Sequence, residues 1–274
     1  MNESTSGGDP ESSRSAAPGA PAPPLPLRII NVSHGPGRLH AVLSIPSSAP
    51  AGLFDPGFHP DLRLFVQGEL VCGESGEFLP HWLRWVHGIV ELSTAFPPYT
   101  HAHGVRQRRT VRHALVAAVV ETLREVMESD RAAYERFWRE MGDAVKEAVG
   151  RTYEIRDAVL DLLLFRSSLG AGRLTTLREY VARMPPGQDH IWYAAAGGAG
   201  RGADAPVPRV FHDRGWEVLY LAAPVDEQVV ASLVAFQGRR LRAVERYGAP
   251  VPVSRTPVPG KVFVGPLKMF RTAP

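Results

Sequence analysis

Apolar residues recur with two different periods along this chain. Residues 27–32 and 39–45 are rich in β-branched side chains and flank Gly35-Pro36-Gly37, which predicts two strands joined by a turn. Residues 62–66 alternate apolar and basic positions as a half-buried strand does, and 69–77 read as a bend between strands. Pro80-His81-Trp82-Leu83-Arg84-Trp85 predicts a short helix with proline in its first turn.

From residue 111 the period lengthens. Val111, Leu115, Val119, Thr122, Leu123 and Val126 form one stripe of a long helix. Ser129 or Asp130 suits the N-cap of a second helix, whose stripe is Tyr134, Phe137, Trp138, Met141, Val145 and Val149. Ile155, Val159, Leu162 and Leu163 predict a third. Thr176-Leu177-Arg178-Glu179 has capping-box spacing and starts a helix that Pro185-Pro186 stops. Strands at 191–195, 216–221 and 241–244 then alternate with helices at 207–213 and 226–236, the order of a small parallel sheet.

The predicted fold class is therefore α/β: a larger layered α/β subdomain with long helices over 27–150, a helical connector over 151–186 and a smaller α/β subdomain over 187–247. Residues 1–26 hold 18 Pro, Ser, Ala or Gly and predict a disordered leader. From 248, Pro alternates with Val (Pro250, Val251, Pro252, Val253), which predicts an extended tail.

Composition changes this picture little. Over 274 residues, 44% are hydrophobic and 22% charged, enough to build a packed core. The longest apolar run is the seven residues 114–120, against about 20 for a membrane span. No apolar signal segment opens the chain, and its single cysteine, Cys72, forms no internal disulfide; a cytoplasmic location is expected. The net charge is +3, but Arg255, Lys261, Lys268 and Arg271 place +4 in the tail, so the rest is close to neutral. That argues against a nucleic-acid surface. Three lysines stand against 28 arginines, a skew we attribute to genomic base composition.

Several motifs carry no chemistry on inspection. The glycine-rich run 197–202 follows a strand but lacks the Lys-Ser/Thr of a phosphate loop, so it reads as a surface loop. His81, His87, His101 and His103 have no partner carboxylate or thiolate at ligand spacing and predict no metal site. No Gly-x-Ser-x-Gly elbow is present, and Glu121 with Glu125 reads as a solvated helix face. Arg106, Arg108, Arg109 and Arg112 gather at the start of the long helix, where the helix dipole disfavours cations.

Five stretches share an order with a known family: 39–54 (LHAVLSIPSSAPAGLF), 62–91 (LRLFVQGELVCGESGEFLPHWLRWVHGIVE), 133–149 (AYERFWREMGDAVKEAV), 162–195 with LLLFRSS and LTTLREYVARMPPGQDHIWYAA, and 214–244 (RGWEVLYLAAPVDEQVVASLVAFQGRRLRAV). Together, residues 27–245 resemble the middle domain of the 90-kDa heat-shock chaperone family, whose bacterial member is HtpG. In that family the ATPase pocket belongs to a separate N-terminal domain and dimerisation to a C-terminal one. The resemblance covers neither, so no ATP or Mg cofactor is expected in this chain unless a nucleotide domain is supplied in trans.

The family's middle domain also sends an arginine, in an Asn-x-Ser-Arg-Glu motif, to the γ-phosphate. The matching stretch here, 96–103, has no arginine; Arg106 and Arg108 are the phosphate-sensing substitutes the resemblance allows. It further implies a chaperone role in protein folding and the stress response. The expected partners are unfolded or client proteins and a separate chaperone or nucleotide-binding chain, with neither nucleic acid nor membrane. Large apolar side chains at Phe54, Trp82, Trp85 and Trp192 are the candidate client contacts. A non-enzymatic protein-binding module is the first expectation; one part of a split ATPase completed in trans is the alternative.

Overall fold

β1 (Arg28–His34) and β2 (Leu39–Ile45) pair antiparallel, from Arg28 opposite Ile45 to His34 opposite Leu39. Strand alternation turns Ile30, Val32, Leu39, Ala41, Leu43 and Ile45 to one face, where all are buried. The computed structural model describes residues 25–35, 39–71, 78–95, 102–151, 156–170, 173–195 and 207–247. The expected leader (except 25 and 26) and tail lie outside these, as do Cys72, the glycine-rich run and residues 96–101.

β3 (Leu62–Val66), β4 (Glu69–Val71) and β5 (His87–Leu92) complete a five-stranded sheet in the order β1-β2-β5-β3-β4. β3 runs parallel to β5, and the other pairings are antiparallel. Gly88 permits the β2–β5 contact: a Cβ there would meet the Val42 carbonyl oxygen at 2.2 Å, and its φ of +149° is one that side chains rarely adopt.

The inner face of this sheet joins one core with two helices. α1 (Ala102–Ser129) contributes Val111, Leu115, Val119, Leu123 and Val126. α2 (Arg131–Lys146) contributes Tyr134, Phe137, Trp138, Met141 and Val145. Of the two cap candidates, Asp130 is the one used: its Oδ1 accepts from the Ala133 backbone N–H at 2.9 Å. The expected turn at Pro80 is a short 3-10 helix over His81–Leu83.

The second sheet has six strands and departs from expectation at its edges. α3 (Ala148–Arg151) and α4 (Arg156–Leu160) are short, and the stripe through Leu162 and Leu163 runs out of helix into β6 (Leu164–Ser167). With β7 (Leu174–Thr176), β6 closes one side of the sheet. The stretch 151–186 is thus not a purely helical connector. A continuous buried run such as Leu162-Leu163-Leu164-Phe165 fits helix and strand alike in sequence.

α5 (Leu177–Arg183) begins at the expected Thr176–Glu179 capping box. β8 (His190–Ala195) then lies parallel to β9 (Val218–Leu221) and β11 (Arg239–Ala243), with α6 (Arg209–Asp213) and α7 (Pro224–Ser232) between them. The predicted helix over 226–236 stops at Ser232, because β10 (Ala235–Phe236) pairs back on β11 through a two-residue turn. Gln237 and Gly238 both have positive φ (47° and 77°), the signature of a tight hairpin turn of the I′ kind.

Candidate functional site

The face of the first sheet turned away from α1 and α2 carries apolar side chains in register. Val42 lies directly opposite Ile89 across β2 and β5, and Ile29 on β1 sits diagonally beside Val42. They are 50%, 46% and 61% exposed. On the same face Phe65 of β3 pairs with Leu70 of β4, the latter 56% exposed. Asn31, His40, Arg63, His87 and Glu91 lie among them by alternation. A polar-rimmed apolar patch of this kind marks an interaction surface.

Phe54 sits in the turn region after β2 with its ring 56% exposed. Arg84 fixes this region from beneath. Its side chain is nearly buried, and its Nε donates to the Leu53 carbonyl at 2.9 Å. Nη1 and Nη2 hold the Glu147 carboxylate at 3.0 and 3.1 Å, and the guanidinium carbon lies 5.4 Å from the centre of the Phe54 ring. A buried forked cation thus ties the 3-10 helix, the Phe54 region and the end of α2 together.

The tryptophans expected to meet clients do not face solvent. Trp82 and Trp85 are fully buried, Trp85 Nε1 donates to the Trp82 carbonyl at 2.8 Å, and its ring meets Phe137 edge-on at 5.2 Å. The one-turn helix that carries Trp82 packs against α2, and Trp85, just past its end, meets Phe137 of α2, so their area serves the core. Trp192 is likewise buried, stacked on Trp216 at 6.0 Å with Phe211 edge-on at 5.1 Å. Of the four candidates, only Phe54 is placed to touch another protein. Ile29, Val42, Leu70 and Ile89 were missed. The available signal was apolar residues in both strand phases, as in Ile29-Ile30, Ala41-Val42-Leu43 and Ile89-Val90.

The buried polar groups are structural. Tyr180 Oη donates to the Glu217 carbonyl at 2.6 Å and accepts from Trp192 N and Gln188 Nε2. Burial pushes its phenol far above the ordinary range. Burial alone would also raise Glu179, but the Thr176 backbone N–H, Arg131, the Thr175 hydroxyl and Arg183 outweigh it and hold the carboxyl below its usual value. Among the described residues, no group of three or more His, Cys, Asp or Glu side chains is arranged to hold a metal. No described helix is long and apolar enough to cross a membrane.

Comparison with known proteins gives this architecture its context. The family model for the Hsp90 protein matches residues 28–256, most of the chain. The chain belongs to the Hsp90 family. The chaperone protein HtpG of Geobacter sulfurreducens is 34% identical over 227 residues, covering 81% of this chain and 35% of that protein. HtpG of Frankia casuarinae is 33% identical over 224 residues (81% and 34% covered), and HtpG of Mycobacterium tuberculosis 32% over 224 (81% and 35%). The chain therefore spans about a third of the length of the curated relatives it matches. The middle domain of a Plasmodium falciparum heat shock protein superposes with a TM-score of 0.69 at 21% identity, over 80% of this chain and 87% of that one, a likeness of fold.

Within this Hsp90-family fold, the two arginines expected to sense phosphate do not line the same space. Arg106 is exposed and, with Arg109, borders a concavity of about 690 Å³ between α1 and the end of β1. Arg108 is half-buried and does not line it. Most of the stretch where the family motif would fall, 96–101, is outside the described residues.

Proposed function

We propose that this Hsp90-family segment is a protein-binding module that holds partly unfolded client polypeptide, works without nucleotide of its own, and acts in the cytoplasm. The observation that carries the reading is the exposed apolar row Ile29, Val42 and Ile89 on the open face of the first sheet, with Phe54 as a further contact. Extended apolar segments of an unfolded chain suit such a surface, because apolar burial is non-directional and needs no sequence-specific partner. Covering one of these side chains contributes about 1.5–3 kcal/mol when burial is complete. The costs of association keep a three- or four-residue patch in the weak range that repeated capture and release requires.

The test is light scattering of a heat-denatured model substrate. Wild-type chain should suppress aggregation, and Val42→Asp and Ile89→Asp should lose most of that effect. Leu169→Asp, at an exposed apolar position away from the first sheet, should retain it. Equal suppression by all three variants would refute the surface. Arg106, exposed near the start of α1, supports a second reading, a split ATPase completed by a nucleotide-binding chain that brings its own ATP and Mg. Stimulated turnover of such a chain, lost in Arg106→Ala, would favour it.

A further inference from the structure

Between β2 and β3, residues 46–61 form turns but no helix or strand. An irregular stretch of that length presents an aromatic ring in one place only where something fixes it. Two adjacent residues point opposite ways: Leu53 is buried in the core and Phe54 is exposed. Tight turns hold the backbone on either side. Leu53 N–H donates to the Pro50 carbonyl at 3.1 Å, and Asp55 N–H to the Gly52 carbonyl at 2.8 Å.

The peptide that joins Leu53 to Phe54 is held by Arg84, whose Nε donates to the Leu53 carbonyl at 2.9 Å. The same guanidinium lies 5.4 Å from the centre of the Phe54 ring, within cation–π reach. One group thus sets both the carbonyl that precedes the phenylalanine and one side of its ring. The guanidinium is itself fixed. Nη1 donates to the His81 carbonyl at 3.0 Å and to Glu147 Oε2 at 3.0 Å, and Nη2 to Glu147 Oε1 at 3.1 Å. Four N–H groups of a nearly buried fork therefore have acceptors, on the 3-10 helix, at the end of α2 and in the loop.

We propose that Arg84 is the positioning residue of the client surface, holding the Phe54 ring outward before contact, a role that rests on the client-binding reading. A buried cation is a costly way to fill space, and apolar packing would do that as well. What the fork adds is direction, because its bonds converge on the base of an exposed ring. A ring fixed beforehand also loses less rotamer freedom when it is covered, so binding is tighter than to a free side chain.

Two measurements on the full chain test this role. Fluorine NMR with 4-fluorophenylalanine at position 54 reads the ring without client. Arg84→Lys keeps the charge and loses the fork, and should move the resonance toward its value in the urea-unfolded chain. Fluorescence anisotropy with labelled, reduced and carboxymethylated α-lactalbumin, a permanently unfolded protein, reads binding. Phe54→Ala should weaken binding about tenfold. Arg84→Lys should weaken it about threefold. In the Phe54→Ala background, Arg84→Lys should have no further effect, whereas general damage to the fold would weaken binding in both backgrounds. Glu147→Gln loosens the guanidinium without altering the loop; it should act in the same direction and replaces Arg84→Lys if circular dichroism shows that variant to be unfolded. An unchanged fluorine resonance, or equal losses in the two backgrounds, would overturn the role. Val42→Asp judges the client surface separately. Loss there with Phe54→Ala and Arg84→Lys unaffected would overturn the positioning and leave the sheet surface standing. Loss in the Phe54 and Arg84 variants alone would uphold the positioning and contradict the sheet surface. No loss in any variant would overturn both.

Discussion

Lys146 Nζ lies 2.8 Å from Asp226 Oδ1, and both side chains are at least nine-tenths buried. The pair links the last turn of α2, beneath the first sheet, to the first turn of α7, beside the second. Asp226 Oδ2 also accepts the backbone N–H groups of Ala222 and Ala223, both at 3.0 Å, so one carboxylate caps α7 and receives the lysine. In a chain with 28 arginines, Lys146 is the one lysine among the described residues. Its compact ammonium sits between Asp226, Asp143 and the Trp138 ring, a point charge rather than a planar fork.

Removing Lys146 leaves the buried Asp226 carboxylate without its counter-ion, and removing Asp226 leaves the buried ammonium only the more exposed Asp143. Lys146→Met and Asp226→Asn should each lower unfolding free energy by about 3–5 kcal/mol in urea titrations. Lys146→Arg should also destabilise, which separates geometric fit from charge alone.

Gly88 should tolerate no side chain. A Cβ 2.2 Å from the Val42 carbonyl oxygen forces β5 away from β2, and the backbone angle is strained for alanine as well. Gly88→Ala should cost roughly 2–4 kcal/mol. Gly187→Ala has positive φ but open space around it, and should cost less in the same denaturation measurement.

Glu179 should make the second sheet sensitive to acid. Its folded carboxyl lies below the ordinary value, so its contribution is present above the unfolded pKa near 4.5 and is lost as pH falls through the folded one. Glu179→Gln should be less stable than wild type at pH 7, and the gap should narrow as pH is lowered below 4.5.

His190 has a similar pH dependence for the opposite chemical reason. Burial, then Arg242, push its folded pKa below 6.5 despite Asp189, with Arg240 adding to the effect. The unfolded chain then takes up a proton that the folded chain refuses, so stability falls as pH drops below 6.5. In thermal denaturation between pH 7.5 and 5.5, His190→Gln should lose less stability than wild type.

Much of this fold was legible because local signals agreed with packing. The Thr176–Glu179 box, the Asp130 cap and the α1 and α2 stripes all lie where periodicity placed them. β6 and β10 were illegible for different reasons. The buried run around Leu164 has no period to distinguish strand from helix, and the Gln237-Gly238 turn lacks the usual Asn-Gly marker. The candidate site was the least legible part. Hydrophobic size pointed to tryptophans, but Trp82, Trp85 and Trp192 are core residues, whereas smaller Val42 and Ile89 face outward on a sheet whose two phases are both apolar.

The proposed client surface is the outer face of the first sheet. Photo-crosslinking tests it most directly, with a reactive side chain placed at position 42 in one variant and at exposed position 125 on α1 in another, each mixed with an unfolded model protein. We predict that adducts form from position 42 and are lost when Ile89→Asp is added, with little product from position 125. Equal crosslinking from both positions, or adducts from 125 alone, would contradict the account.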